Sequence, residues 1–217
     1  MRQYLQIMVL DGIYYAVALS LGGALVGYLT RPIFALPLFI VAAFCLYFFR
    51  DPNREIPPGA VAVSPADGKV VSIKRDNPES TRISIFLNIF DVHVNRSPVA
   101  GEITKVHYQT GKFLVASKEL ASSQNEQNTV TVDSDGSSVV FAQIAGLIAR
   151  RIVFDKKAGD MVQKGERIGL IKFGSRVDVF LGPEWNIVVK TGERVSGGSS
   201  VLAERVGQPS LPGGKYA

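Results

Sequence analysis

Ala158-Gly159-Asp160-Met161-Val162-Gln163-Lys164-Gly165-Glu166 is echoed by Thr191-Gly192-Glu193-Arg194-Val195-Ser196-Gly197-Gly198-Ser199. Each segment reads as turn, short strand, turn, and each leads into an apolar run. Two such units near the end of a chain are what the halves of a folded-over β-sandwich look like. Upstream the β pattern continues. Val61-Ala62-Val63, Gly68 to Ile73 and Thr81 to Leu87 are β-rich and bounded by turn residues, and Glu102 to Tyr108 alternates with period two. Thr129 to Asp133 and Ser138 to Ala145 flank Ser134-Asp135-Gly136-Ser137, a tight hairpin turn. Only Phe113 to Gln124 has short helical character, with an ordered loop as its alternative. The expected fold class is mainly β, a barrel-sandwich-like domain.

The first fifty residues are of another kind. Gly12 to Leu29 (18 residues) and Ile33 to Phe49 (17 residues) carry no charge, and only Thr30-Arg31-Pro32 lies between them. As helices they would each reach roughly 25–27 Å, just short of a ~30 Å hydrocarbon core. Their all-round hydrophobicity leaves no polar face for water. Tyr14, Tyr15, Tyr28, Tyr47, Phe48 and Phe49 gather towards the ends, as interfacial aromatics do. These features predict a transmembrane or membrane-inserted helical hairpin over residues 1–50, entering and leaving by the same face, with Pro37 able to kink its second arm. A cleaved signal peptide fits poorly, because only Arg2 precedes the apolar run and Asp11 interrupts the approach. Arg50 to Gly59, with Pro52, Pro57 and Pro58, is a stiff charged connector into a β domain over residues 51–217.

The chain has 217 residues, with 24 Lys and Arg against 19 Asp and Glu. That mild basicity suits an anionic membrane surface, and without a basic patch interleaved with aromatics or a zinc-finger spacing it gives no nucleic-acid binder. A lone cysteine, Cys45, excludes an intrachain disulfide.

Chemistry-bearing residues are few. Gly174-Ser175 sits between the apolar runs Ile168 to Phe173 and Val177 to Phe180, where a sharp turn can present a hydroxyl to the preceding carbonyl. Gly198-Ser199 is a rival pair, in a turn that reads as solvated. His93 stands where an apolar strand runs out into polar residues, a place where scaffolds display reactive groups, with a satisfied core histidine as its alternative. His107 falls in an alternating strand and reads as structural. Asp67, before Gly68, is by default a turn aspartate. The folded-over pattern is also that of biotinyl- and lipoyl-carrier domains, which need a lysine at a hairpin tip. Lys172, inside a strand, is a poor candidate, so this likeness speaks to architecture.

In order along the chain, Tyr47 to Arg54, Ser64-Pro65-Ala66-Asp67-Gly68-Lys69-Val70, Asn88 to Pro98, Gln143 to Ile152 and Phe173-Gly174-Ser175-Arg176 resemble the phosphatidylserine decarboxylase family, in its short membrane-anchored form. The resemblance implies self-cleavage between Gly174 and Ser175, giving chains 1–174 and 175–217 and turning Ser175 into a pyruvoyl group, the cofactor in place of a metal or pyridoxal phosphate. It implies decarboxylation of phosphatidylserine to phosphatidylethanolamine and carbon dioxide through a Schiff base to that group. His93 resembles the family's decarboxylation histidine, and Asp67 the aspartate of its self-processing triad. The triad's histidine position is Arg96 here. This leaves Asp67 acting on Ser175 directly or through water, or His93 serving both steps, as alternatives. An arginine is no general base at neutral pH. Arg96 and Arg176 are the candidate substrate-binding residues, Arg96 as a two-pronged donor to lipid phosphate or carboxylate. Expected partners are phosphatidylserine, the membrane and the two cleaved chains held as a heterodimer, with homo-oligomerisation left open and no nucleic acid. The expected place is the cytoplasmic membrane, catalytic domain inward. Phe113-Leu114-Val115, between Lys112 and Lys118, is expected to form a lipid-facing lip.

Overall fold

The computed structural model describes residues 3–114, 116, 121–146, 151–171 and 174–207. The chain divides into two units, Met1–Pro52 and Asn53–Ala217.

The first unit is an antiparallel pair of helices, α1 (Gln3–Leu29) and α2 (Pro32–Phe48). The break between them is local chemistry. Arg31 is extended at φ −133°, and Pro32 opens α2, where its missing N–H has no intrahelical partner to lose. Thr30 Oγ1 donates back to the Val26 carbonyl at 2.6 Å, closing α1. Small residues make the seam: Ala16, Ala35 and Ala42 are buried, Gly23 lies against Phe39 and Gly27 against Ala35. Leu21, Leu25, Leu29, Ile33, Phe34 and Ile40 face outward. Leu10–Leu29 is long and apolar enough to cross a membrane, whereas α2 has 17 residues and is shorter. The hairpin expected from sequence is present, and α2 continues through Pro37.

The second unit is β-rich. Its first half contains β1 (Val61–Val63), β2 (Gly68–Asn77), β3 (Ser80–Leu87), β4 (Val94–Arg96) and β5 (Gly101–Gln109). A single helical turn, α3 (Ala121–Gln124), is all the helix described in the segment expected to have helical character. Then come β6 (Gln127–Ser134), β7 (Ser137–Ile144), β8 (Ile152–Phe154), β9 (Met161–Val162) and β10 (Arg167–Ile171). The chain ends with β11 (Ser175–Leu181), β12 (Trp185–Ile187), β13 (Arg194–Val195) and β14 (Val201–Arg205). An eight-stranded antiparallel sheet runs β13-β2-β3-β11-β7-β6-β5-β9 and curls into a half-barrel. Two three-stranded sheets, β1-β14-β12 and β4-β10-β8, complete the domain. Bulges in β2 and β5 supply part of the bend.

The sequence echo has a structural meaning. Its two short strands, β9 and β13, are the opposite edges of the eight-stranded sheet. Their turns dock alike: Gly159 N–H donates to Ile103 O and Gly192 N–H to Val70 O. A second correspondence was not read from sequence. Ser64-Pro65 and Ser97-Pro98 cross reciprocally, with Val63 N–H on Pro98 O and Arg96 N–H on Pro65 O. Inward-facing Val70, Ile83, Ile85, Val130, Phe141 and Val179 form the main core.

Candidate active site

β11 begins at Ser175, and its alternation decides what that serine meets. Ser175, Val177, Val179 and Leu181 are fully buried, and the latter three join the apolar interior. Phe180 packs on the other face, against Ala142 and Ile144. Ser175 pairs with Leu87 of β3, so its hydroxyl is held inside the sheet. Its Oγ has no hydrogen-bond partner among the described residues.

Gly174 makes the turn that delivers it. Its φ is +60°, a left-handed conformation that glycine adopts without the Cβ penalty. The Gly174 N–H donates to His93 Nε2 at 3.3 Å. His93 Nδ1 lies 2.8 Å from the Asp91 carbonyl oxygen. A carbonyl can only accept, so Nδ1 carries the proton and Nε2 presents a lone pair towards the Gly174–Ser175 unit. The Gly174 carbonyl oxygen lies against Gly146, where a Cβ would stand 2.0 Å from it. No side chain larger than hydrogen fits there.

The loop before β4 holds His93 in place. Asp91 accepts the Asn88 N–H at 2.9 Å and pairs with Arg194, while Asn88 Oδ1 accepts the Phe90 N–H at 2.8 Å. This turn leaves Ile89 and Phe90 at the surface. Beyond His93, Asn95 is buried on the same side of the extended chain. Asn128 Nδ2 donates to Gln143 Oε1 at 3.1 Å, and Gln143 Nε2 donates to Asn95 Oδ1 at 2.9 Å. Asn95 Nδ2 has no partner among the described residues.

The other sequence candidates lie elsewhere. The Asp67 carboxylate is taken by Arg54, at 2.7 and 3.0 Å, and by the Gly197 N–H at 2.7 Å. None of these bonds reaches Ser175 or His93. Arg96 alternates with His93 and Asn95 along β4; it donates to the Gly165 carbonyl at 3.1 Å, and its Cδ abuts the Gly198 position. Arg176 is buried on the opposite face of β11 from Ser175. It bonds Asp178 at 2.5 and 3.1 Å and Ser84 at 2.7 Å, a structural ion pair and not an open substrate donor. His107 is exposed on β5, away from this group. Ser199 sits in the turn after β13, its N–H on the Ser196 carbonyl. Lys172 and Phe173, Leu147 to Arg150, and Val115 and Lys118 of the expected lip lie outside the described residues.

Phe113 packs on the cluster of Ala66, Leu87, Ala145, Ile171 and Val177 that flanks Ser175. Asn125 fixes this segment, bonding the Leu114 N–H and carbonyl and the Ala145 carbonyl at 2.7–2.9 Å. Among the described residues no group of three or more His, Cys, Asp or Glu is placed to hold a metal. Sequence reasoning missed Gly146, Asn95 and Gln143. All three lie inside segments quoted for the family resemblance, yet only folding gives them a reason.

Residues 41–203 match the family model described as phosphatidylserine decarboxylase. The phosphatidylserine decarboxylase proenzyme of Solibacter usitatus is 64% identical over 203 residues, covering 94% of this chain and 99% of its own. That of Syntrophus aciditrophicus is 44% identical over 201 residues, 88% of this chain and 94% of its own. That of Rickettsia akari is 48% identical over 177 residues, 76% of this chain and 77% of its own. With a family match over residues 41–203 and relatives up to 64% identical over most of the chain, the chain belongs to the phosphatidylserine decarboxylase family.

Proposed function

We propose that this chain is a proenzyme that cuts itself between Gly174 and Ser175 and then converts phosphatidylserine to phosphatidylethanolamine and carbon dioxide. The observation that carries the reading is the buried, unpartnered Ser175 hydroxyl beside a peptide whose N–H is held by a histidine lone pair.

The chain's own groups suffice for the cut. For the step His93 Nε2 gives up the Gly174 N–H and accepts the Ser175 hydroxyl proton as Oγ attacks the Gly174 carbonyl carbon. The C–N bond breaks, the Ser175 nitrogen takes that proton, and the peptide becomes an ester. Loss of the Ser175 α-proton then breaks the Cβ–O bond, releasing chain 1–174 with a free carboxylate. Water hydrolyses the dehydroalanine left at residue 175, with loss of ammonia. The resulting pyruvoyl group supplies a ketone that acts as an electron sink for decarboxylation. Its place fits: residue 175 is inside the sheet, flanked by apolar Leu87 and Val177 and by neutral polar side chains. His93 remains as the candidate donor of the proton that replaces carbon dioxide on the headgroup carbon.

Of the two bases left open by the sequence, the geometry supports His93 over Asp67, whose carboxylate is engaged by Arg54 and Gly197. Asp67 is assigned to holding the connector and the Gly197 turn, and Arg96 to the Gly165 turn. The helical hairpin anchors the chain in the cytoplasmic membrane with the β domain on the cytoplasmic side, where a two-chain lipid need not be drawn into water at about 0.8 kcal/mol per exposed CH₂. Exposed Ile89 and Phe90, next to the His93 loop, and Phe113 above the site suit lipid access. The cut chains stay together as a heterodimer, because β11 is hydrogen-bonded to β3 on one side and β7 on the other.

Intact mass of the purified, active protein tests this. Two chains are expected, the smaller resisting Edman degradation and lighter by one ammonia than a peptide starting with serine. Ser175→Ala is expected to give one uncut, inactive chain, and His93→Ala a chain that cuts at least ten-fold more slowly. An active preparation with a continuous chain would overturn the mechanism, and wild-type cutting in Ser175→Ala would move the site to Ser199.

A further inference from the structure

Among the described residues, two buried polar atoms near the proposed cut have no partner: Ser175 Oγ and Asn95 Nδ2. The chemistry above consumes the first. The second is left over, and in this hydrogen-bond order it cannot turn alone. Asn128 donates to Gln143 Oε1, which orients the Gln143 amide so that Nε2 faces Asn95. Gln143 Nε2 then requires the acceptor of Asn95, Oδ1, and leaves the donor Nδ2 pointing the other way. Asn128, Gln143 and Asn95 are 2%, 0% and 1% exposed, so water does not set this order. A buried amide donor fixed in this way and given no acceptor marks a missing partner.

Its position identifies the partner's chemistry. Asn95 lies two residues beyond His93 in extended chain, on the same side, and His93 touches Gly174. Gln143 is opposite Val177 in the β7–β11 register, two residues along the same face from Ser175. The donor therefore belongs to the face that carries Ser175 and His93, where the headgroup must be held. Buried His93, Asn95, Asn128, Gln143 and Ser175 carry no fixed charge, and the Asp91 carboxylate beside His93 is paired with Arg194. A lipid phosphate keeps its charge throughout and is matched by cations. The serine carboxylate must lose its charge as carbon dioxide leaves. A guanidinium would stabilise that ground state most strongly and raise the barrier, whereas a neutral amide orients the carboxylate with less ground-state stabilisation.

We propose that Asn95 Nδ2 binds the carboxylate of the serine headgroup, and that Gln143 is the positioning residue that keeps this donor turned towards it. The assignment rests on the decarboxylase reading above and names the residue that distinguishes substrate from product. Asn95→Asp tests it with little change in shape. Its Oδ1 still accepts from Gln143, and an anionic oxygen replaces the donor. Detergent–lipid micelles are used, with phosphatidylserine as substrate and phosphatidylethanolamine, which lacks the carboxylate, as competing product. The full-length protein is expected to cut into two chains as usual. KM for phosphatidylserine should rise about 10- to 100-fold, the scale of one hydrogen bond to a charged group, while the inhibition constant of phosphatidylethanolamine changes less than about two-fold. Gln143→Glu should reproduce the selective loss, because a carboxylate at 143 draws Nδ2 to itself and turns Oδ1 outward.

Equal rises in KM and in the product's inhibition constant would assign Asn95 to structure and overturn the proposal. Accumulation of uncut chain in Asn95→Asp would assign it to processing and overturn it too. The absence of any phosphatidylethanolamine from wild-type protein would instead sink the function itself, a result separable from both.

Discussion

At residue 174 and at residue 146 a glycine is required for different reasons, and substitution separates them. A Cβ at Gly174 would meet nothing within 4 Å, so Gly174→Ala carries only the left-handed backbone penalty, roughly 1–2 kcal/mol. A Cβ at Gly146 would strike the Gly174 carbonyl oxygen at 2.0 Å. Gly146→Ala is therefore expected to slow self-cutting more than Gly174→Ala, by at least ten-fold, read as uncut chain against time on denaturing gels. Asp155 gives a pH prediction at the same scale. Burial pushes its carboxyl above the ordinary 3.8, and its Oδ1 has no partner. The folded state thus holds this proton more tightly than the unfolded chain, so ionisation costs stability. That cost is absent below pH 3.8 and grows as pH rises through the raised value. Asp155→Asn is expected to raise Tm at pH 7 and to make no difference near pH 3, as thermal melts at the two pH values would show. His93 stood out as a candidate because polar residues crowd the end of an apolar strand, but its neighbours alone left a satisfied core histidine as the alternative.

Among the elements, the β6–β7 hairpin was the easiest to read. Asp135 and Gly136 take φ of 51° and 77°, the mirror-image turn that matches strand twist. Asp-Gly between two alternating strands announces that geometry, whereas Asp67-Gly68, at the start of β2, does not adopt it. A Cβ at Gly136 meets open space, so Gly136→Ala tests the backbone alone. It is expected to cost about 1 kcal/mol and to lower Tm by roughly 2–4 °C. β11 was read as a strand, but its central place in the sheet was not. Strand order depends on which edges meet after the chain has crossed the domain, and periodicity carries no such information. The same holds for Arg176. Its neighbour Ser175 drew it into the candidate site, yet alternation sends the two side chains to opposite faces.

For the whole molecule, weaving matters more than the cut. Chain 175–217 contributes β11 between β3 and β7, β13 on β2, and β14 between β1 and β12. Breaking one peptide bond leaves those ladders intact. The two chains are expected to elute together in native size exclusion and to separate only in denaturant; separation without denaturant would contradict the proposed heterodimer. The sequence by itself determined what short-range rules control: the apolar hairpin, the strands and turns, the paired edge units and the Gly-Ser bond. Period, charge and glycine placement act within a few residues, so they can be read there. Only the tertiary structure decided that His93, not Asp67, contacts Gly174, that Gly146 makes room for the Gly174 carbonyl, and that the Asn95 amide donor is left over among the described residues. These pairings join positions far apart in the chain, and packing, with the pairing of buried polar groups, selects them.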